Sequence, residues 1–185
     1  MGKLRVYWLK TLNKLSIYPL GNTPSAPSVS PLEKLVLNAE PVKNANQNTV
    51  KQYQSDIGSL MYLMLGTRPD LAYAVGKLTR FSTNPSLEHL RALEHVFAYV
   101  NRTRHYCLTY LANGNIFPCG YVDADFVSNP SDRTSISGYT FMVASGVFSW
   151  SSKKQQSVTT STMEAEYTAT HSGSLNALWV RQFFE

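Results

Sequence analysis

The hydrophobic periodicity of the chain changes near residue 105, and this change restricts the folds that the sequence can adopt. In residues 51–103, apolar side chains recur every three or four positions, which is typical of amphipathic helices. Beyond residue 105, apolar and polar residues alternate between turn-forming residues, which is typical of strands. A last helical segment begins near Ser161. Strands that follow helices predict an α+β fold, in which a small helical module precedes an antiparallel sheet with one packed helix.

The helical module is predicted to contain three helices joined by short loops. The first helix is expected to end at Gly66, and the second to begin near Pro69. Asn84 and Pro85 predict the N-cap and the first residue of the third helix. The apolar stripe predicted for this third helix consists of Leu90, Leu93, Phe97 and Val100.

The first 50 residues differ in composition from the rest of the chain. Residues 4–17 predict a short helix, because apolar residues fall on its adjoining turns. Residues 19–49 contain five prolines among many Ser and Asn residues, which predict an irregular connector. The domain organisation predicted from the sequence is therefore residues 1–50, 51–104 and 105–185.

Residues 105–185 predict two hairpins and then a helix. The first hairpin is expected to turn at residues 112–115, and the second at Ser145 and Gly146. The helix is expected to begin with a capping box, in which Ser161 and Glu164 satisfy each other's backbone N–H groups. Gly173 is expected to loosen this helix, since glycine is a poor helix former.

Four carboxylates in this region are candidates for metal binding. Asp123 and Asp125 share one face of the predicted strand, although aspartate is disfavoured in strand interiors. A solvated sheet face is the alternative interpretation of these aspartates. Glu164 and Glu166 lie two positions apart on the helix and point about 200° apart, so they cannot both face the sheet. Glu164 is already explained by the capping box.

Asp123 and Glu166 are the strongest candidate pair. Glu166 can approach Asp123 if the helix packs on the face of the sheet that carries Asp123. Two neighbouring carboxylates repel each other unless a cation binds between them. Hard divalent ions such as Mg²⁺ prefer ligands that are all oxygen atoms. The pair is therefore interpreted as part of a metal site.

Composition and charge narrow the function classes. The formal net charge is +5 and the pI is near 9.2, which is compatible with a polyanionic partner. Cys107 and Cys119 are too few for a disulfide framework, and are interpreted as buried thiols in a reducing compartment. No apolar run approaches the ~18 residues of a membrane-spanning helix. The basic N-terminal segment lacks the unbroken apolar core of a secretory signal.

Several motifs occur in the order in which copia-type LTR-retrotransposon Pol polyproteins carry them. "YQSDIGSLMYLMLGTRPDLAYAVGKLTRFSTNP" resembles the block that follows the polymerase palm. "YVDADF", "DRTSISGY", "FSWSSKKQQSV" and "STMEAEYTA" resemble, in order, the start of the ribonuclease H domain of this family. The resemblance covers roughly residues 50–184. It implies a reverse-transcriptase thumb or connection segment joined to the N-terminal half of a ribonuclease H-like domain.

The resemblance also implies roles for the four acids. Asp123 and Glu166 match the catalytic ligands of Mg²⁺ or Mn²⁺ in this family, and Asp125 and Glu164 match secondary acidic positions. The family's reaction is two-metal hydrolysis of the RNA strand in RNA–DNA hybrids. The third and fourth acidic ligands have no counterpart, because the last aspartate of the chain is Asp132. We therefore expect weak metal binding, and little or no hydrolysis by this chain alone.

The resemblance implies RNA–DNA hybrid or other nucleic acid, and the remainder of the Pol polyprotein, as partners, without a membrane. The expected location is intracellular, in the cytoplasm, a virus-like particle or the nucleus. Lys153 and Lys154, near a hairpin end, are candidate phosphate contacts, and Arg68 and Arg80 are weaker ones.

Two alternative functions remain open from the sequence. One is a non-catalytic nucleic-acid-binding module, which the basic charge favours. The other is an interaction protein. In this family the first strand of the ribonuclease H sheet has a further strand on its other edge, so without that strand the edge is expected to be open. An open edge invites self-association, because its backbone groups are unpaired.

Overall fold

The computed structural model describes residues 5–8, 45–114, 116–129 and 133–184. These residues belong to two compact units. The first unit contains the described residues from 45 to 107 and is helical. The second contains residues 5–8 and the described residues from 108 onward, and consists of a sheet with one helix. The predicted α+β class is thereby confirmed.

The first unit contains the three helices that the periodicity predicts: α1 (Gln47–Gly66), α2 (Ala72–Leu78) and α3 (Leu87–Arg102). Short 3-10 turns at Pro69–Leu71 and Thr79–Phe81 flank α2. The helices pack their apolar stripes against one another. The buried core consists of Tyr53, Ile57, Leu60, Leu71, Ala74, Val75, Leu78, Ala92, Leu93 and Val96. Of the predicted connector at 19–49, the structure describes only residues 45–49, and α1 begins within them.

The start of α3 differs from the prediction. The N-cap is Ser86 and not Asn84, because Ser86 forms a reciprocal cap with His89. The Ser86 N–H donates to His89 Nδ1 at 2.9 Å, and the His89 N–H donates to Ser86 Oγ at 3.5 Å. The His89 ring is fully buried and stacks on Phe81, with ring centroids 3.8 Å apart. The predicted stripe member Phe97 is 37% exposed.

Arg68 belongs to a buried polar network in the first unit. Its Nη2 lies 2.7 Å from Asp70 Oδ2 and donates to Thr103 Oγ1 at 2.6 Å. The Tyr99 hydroxyl donates to the same Asp70 oxygen at 3.0 Å. Arg68 is only 5% exposed, so the prediction that it contacts nucleic acid is wrong. A buried guanidinium needs such partners to compensate for lost hydration.

The second unit is a four-stranded sheet in the order β1 (Arg5–Trp8), β2 (Cys119–Asn129), β3 (Thr134–Val143) and β4 (Gly146–Lys154). The pairs β2–β3 and β3–β4 are antiparallel, as predicted. Helix α4 (Thr162–Phe184) packs against β2 and β3. In the described part of the chain, no helix has both the length and the apolar character needed to cross a membrane.

The strand β1 corrects two expectations. The described part of the predicted helix at 4–17 is a strand, and residues 9–17 lie outside the described residues. β1 pairs parallel with β2 from Cys119 to Val122, so this part of the β2 edge is not open. Val, Tyr and Trp favour strands, and pairing satisfies backbone groups of both strands. This tertiary pairing outweighs the weak helical periodicity.

The turn between β3 and β4 lies one residue earlier than predicted. Its central residues are Ala144 and Ser145, whose φ angles are 49° and 64°. Positive φ at both central positions is the geometry of a type I′ turn, whose twist matches that of the flanking strands. The sequence prediction placed glycine inside the turn, whereas Gly146 is the first residue of β4.

The first predicted hairpin does not form. Residues 106–111 make no strand, and instead cross the β3–β4 turn. The Leu111 N–H donates to the Ala144 carbonyl at 2.8 Å, and the Tyr110 hydroxyl donates to the Val147 carbonyl at 2.7 Å. Cys107, which was predicted to be a buried thiol, is exposed, and Cys119 is half-buried.

Helix α4 is continuous, so the prediction that Gly173 loosens it is wrong. A Cβ atom at Gly173 would lie 2.4 Å from Cγ2 of Val122, which is too close for any real contact. The absence of a side chain therefore lets α4 approach β2 closely. The buried face of α4 consists of Ala165, Ala169, Gly173, Ala177 and Val180. The first four of these residues are small, which keeps the helix near the sheet along this face.

Candidate metal-binding site

Asp123 lies within β2, opposite Gly138 of β3. It is only 9% exposed, so the interpretation of this aspartate as a solvated strand residue is wrong. The ladder with β1 ends at Val122, one residue earlier. Within the described residues, no further strand pairs with this edge of β2 at Asp123.

Glu166 lies in the second turn of α4. Its Oε2 atom is buried and has no hydrogen-bond partner. Burial raises the pKa of Glu166 above its ordinary value, and the nearby negative charge of Asp123 raises this pKa further. The two carboxylates are therefore close enough to repel each other. An orphaned carboxylate oxygen beside a second carboxylate fits a divalent ion with oxygen ligands, such as Mg²⁺ or Mn²⁺.

Glu166 was expected to approach Asp123 if α4 packed on the face of β2 that carries Asp123, but α4 packs on the other face. Gly173 of α4 contacts Val122, and Asp123 occupies the opposite face because side chains alternate along a strand. Glu166 flanks the buried stripe that contains Ala165 and is itself half-buried. Its side chain is long and flexible, so its carboxylate can interact with Asp123 from beside the packing face.

The two secondary acids have other surroundings. Asp125 is exposed and immediately precedes the bulge of β2, where the register shifts between Asp125 and Asn129. Glu164 Oε2 accepts hydrogen bonds from the Thr160 N–H at 2.7 Å and from the Thr160 hydroxyl at 2.9 Å. The Glu164 N–H donates to Ser161 Oγ at 3.2 Å. The predicted bond from the Glu164 N–H to Ser161 is therefore confirmed. The predicted return bond is wrong, because the Glu164 carboxylate binds the amide of Thr160 and not that of Ser161.

The described carboxylates form a pair and not a larger cluster. No group of three or more His, Cys, Asp or Glu side chains within the described ranges is placed to hold a metal ion. Asp132 lies outside the described residues. Among these acids, Glu166 is the one whose pKa is raised by the charge of Asp123.

Curated relatives show where such a chain occurs. The retrovirus-related Pol polyprotein from transposon TNT 1-94 of Nicotiana tabacum is 41% identical over 133 residues, which are 72% of this chain and 10% of that protein. The Pol polyprotein from transposon RE1 of Arabidopsis thaliana is 38% identical over 130 residues, 70% of this chain and 9% of that protein. Secreted RxLR effector protein 161 of Plasmopara viticola is 42% identical over 128 residues, 69% of this chain and 90% of that protein.

The chain is similar to segments of copia-type retrotransposon Pol polyproteins. It spans about a tenth of the length of the Pol polyproteins named above, and most of the Plasmopara protein. No family model and no solved structure matches the chain. The family resemblance of the motifs is thereby confirmed at the level of Pol.

Two lysines, Lys153 and Lys154, lie exposed at the end of β4. Lys153 lines a cavity of about 300 Å³ between α4 and strands β3 and β4. The polar side chains of this cavity are those of Ser137, Tyr139, Ser151, Lys153, Ser172 and Asn176. Ammonium and hydroxyl groups are ordinary phosphate contacts in proteins. Phosphate binding by the two lysines stays a prediction.

Gln155, which follows the two lysines, was missed by sequence reasoning. It is 5% exposed, and its side chain bonds to both the sheet and α4. Its neighbour Gln156 is exposed. Nothing in the local pattern distinguishes the two glutamines, because a strand end next to a loop does not reveal which side chain turns inward.

The environment of Glu166 predicts a pH-dependent gain of stability on substitution. Because the pKa of Glu166 is raised in the folded state, protonation of Glu166 favours folding. This stabilisation is complete below the ordinary pKa of glutamate. It is lost as the pH rises through the raised value. We expect Glu166→Gln to stabilise the second unit at pH 7 in metal-free buffer, and to lose this advantage below about pH 4. All three tryptophans lie in the second unit, so urea unfolding followed by tryptophan fluorescence measures this difference.

The control for this prediction is Glu164→Gln, for which the sign is opposite. Hydrogen bonds from the backbone and the side chain of Thr160 lower the pKa of Glu164. The charged carboxylate of Glu164 therefore stabilises the folded state above the ordinary pKa of glutamate. This stabilisation is lost as the pH falls through the lowered pKa of Glu164. We therefore expect Glu164→Gln to destabilise the second unit at pH 7. Equal destabilisation by both substitutions would contradict a buried, repelled carboxylate at Glu166.

Proposed function

We propose that the second unit is part of a ribonuclease H-type domain, and that Asp123 and Glu166 are two of its metal ligands. The observation that carries this proposal is the buried, unpaired Oε2 of Glu166 beside the charge of Asp123. Similarity to Pol polyproteins and the order of a central strand before a helix support it. The helical unit would then be a thumb or connection segment of the reverse transcriptase.

The proposed reaction is hydrolysis of the RNA strand in an RNA–DNA hybrid. When bound, divalent ions in such a site activate water and stabilise the leaving oxygen. The residues of this chain would contribute carboxylate oxygens from Asp123 and Glu166 to hold the ion. Lys153, at the cavity between α4 and the sheet, would contact a phosphate of the nucleic acid.

We expect the 185-residue chain alone to bind metal weakly and to hydrolyse little or no hybrid. The family resemblance implies four acidic ligands, whereas no group of three or more such side chains among the described residues is placed to hold a metal ion. Two carboxylates cannot by themselves hold two ions close together, because the repulsion between the ions is then poorly compensated. The remainder of a Pol polyprotein is therefore a proposed partner.

A Mn²⁺ titration followed by NMR tests the proposed site. Paramagnetic broadening should concentrate on amides near residues 123 and 166, and should be lost in Asp123→Asn and in Glu166→Gln. Asp125→Asn and Glu164→Gln are matched controls, because they remove a carboxylate two residues away from each ligand. We expect both controls to retain the broadening.

Two results would overturn parts of this proposal. Broadening that persists in Asp123→Asn, or that is lost equally in the controls, would remove the assignment of the ligands. Cleavage of an RNA–DNA hybrid by the 185-residue chain, abolished by Asp123→Asn, would contradict the expected inactivity while supporting the site.

A stand-alone interaction module is the second candidate function. The observation in its favour is that the chain covers 90% of a protein whose name describes a secreted effector. The β2 edge beyond Val122 has no pairing strand within the described residues, and could pair with a second copy. Dimerisation that depends on concentration, without Mn²⁺ binding or hybrid binding, would favour this candidate.

Hybrid binding that weakens steeply with salt, without cleavage, would favour a nucleic-acid-binding module.

A further inference from the structure

The Gln155 side chain is bonded to the strand that pairs with the Asp123 segment. Its Nε2 atom donates to Ser137 Oγ at 2.8 Å. Ser137 lies on β3 and is the register partner of Ala124, the residue next to Asp123. The backbone of Gln155 is held as well, since its N–H donates to the Ser135 carbonyl at 2.9 Å. Gln155 therefore has a fixed position relative to the part of the sheet that carries Asp123.

The same amide group is bonded to the helix that carries Glu166. Gln155 Nε2 donates to the Ala165 carbonyl at 2.9 Å, and Ala165 immediately precedes Glu166. Ala165 is fully buried, so this bond lies where water does not compete for it. One side chain thus connects both polypeptide segments from which the candidate ligands project.

The orientation of the Gln155 amide is determined by its partners. A backbone carbonyl can only accept, so the NH₂ group must face Ala165. Both amide hydrogens are then used, one for Ala165 and one for Ser137. The Oε1 atom is left buried without a hydrogen-bond partner, which is costly for the folded state. If Gln155 served packing alone, a methionine would fill a similar space without burying an unsatisfied oxygen, because methionine has a similar shape and no amide.

We propose that Gln155 is a positioning residue, which holds the first turns of α4 so that Glu166 and Asp123 can bind one divalent ion. This inference rests on the proposed function of the two acids. Gln155 does not itself touch the ion, and acts through Ala165 and Ser137. Outer residues that orient metal ligands commonly change metal affinity by about 10–100-fold when they are removed.

Gln155→Met tests this role, because methionine keeps the length and the apolar contacts but cannot donate a hydrogen bond. Gln156→Met is the matched control, since Gln156 is the exposed neighbour. We expect Gln155→Met to weaken Mn²⁺ binding at least tenfold, with unchanged circular dichroism. Gln156→Met should bind Mn²⁺ as the unsubstituted chain does. Gln155→Asn is a second variant, in which the amide is kept but is one methylene too short to reach both partners.

Hydrogen exchange provides a readout that does not need a metal. Without the bond to Ala165, exchange of the amides near Ala165 and Glu166 should accelerate in Gln155→Met and in Gln155→Asn, but not in Gln156→Met. Unchanged exchange in both Gln155 variants would overturn the positioning role, whether or not Mn²⁺ binds. Accelerated exchange with unchanged Mn²⁺ affinity would also overturn it, since the bond would then be structural only. Failure of the unsubstituted chain to bind Mn²⁺ would instead count against the proposed function.

Discussion

Replacing Arg68 by Met is expected to destabilise the helical unit by about 3–5 kcal/mol. The substitution keeps most of the apolar stem but leaves the carboxylate of Asp70 buried without its opposite charge, since the Asp70 side chain is only 9% exposed. It also leaves the Thr103 hydroxyl without the 2.6 Å bond from Nη2. The loss is large because a buried charge that loses its partner retains the full cost of its lost hydration.

Hydrogen exchange of the amides in α1 and α3 measures this loss in the helical unit itself. A whole-chain melting temperature is less suitable, because the chain has two compact units that need not unfold together. Arg91→Met, an exposed position on α3, is the control and should change stability by less than about 0.5 kcal/mol. The double variant Arg68→Met with Asp70→Leu should recover part of the loss, because it removes the buried charge as well. A loss of the same size in the control would contradict a specific role for the buried network.

Replacing Gly173 by Leu is expected to destabilise the sheet unit by about 1–3 kcal/mol. The new Cβ alone would lie 2.4 Å from Cγ2 of Val122, so helix or strand must move before any further atoms are accommodated. Val122 cannot yield easily, because a β-branched side chain has few alternative rotamers and this one is 2% exposed. The shift would also displace Glu166, which lies on the same helix.

Urea unfolding followed by tryptophan fluorescence measures this effect in the sheet unit. Gly58→Leu is the matched control, because Gly58 is an interior residue of α1 at which a Cβ atom would have no neighbouring atom within 4 Å. We expect Gly58→Leu to stabilise the helical unit by roughly 0.5–1 kcal/mol, since glycine is a poor helix former. Val122→Ala should relieve part of the loss in Gly173→Leu. A stabilising Gly173→Leu would show that helix propensity, and not close packing, governs this position.

The helices were predictable because their information is local. The apolar stripe of α1, with Tyr53, Ile57 and Leu60, is visible in a single window of sequence. The start of α3 was harder, because Asn84–Pro85 and Ser86 are both acceptable starts. The reciprocal bonds between Ser86 and His89 decide between them, and they depend on the burial of the histidine ring.

The strands were predictable only in part. Alternation located β2, β3 and β4, and the hairpin between β3 and β4 was one residue from its true turn. β1 was missed because its strand conformation depends on pairing with residues more than a hundred positions away. The segment before residue 112 reads as a strand by its apolar content, yet it crosses the β3–β4 turn.

The sequence by itself determined the helical and strand periods and, through the Pol resemblance, the choice of Asp123 and Glu166 as the candidate ligands. These features depend on neighbouring residues, so a short window contains their physical cause. Only the tertiary structure decided that α4 packs on the face opposite Asp123, that Gly173 permits this approach, and that Gln155 connects the two ligand-bearing segments. The reason is that these features depend on distances between atoms that are remote along the chain, which no local pattern encodes.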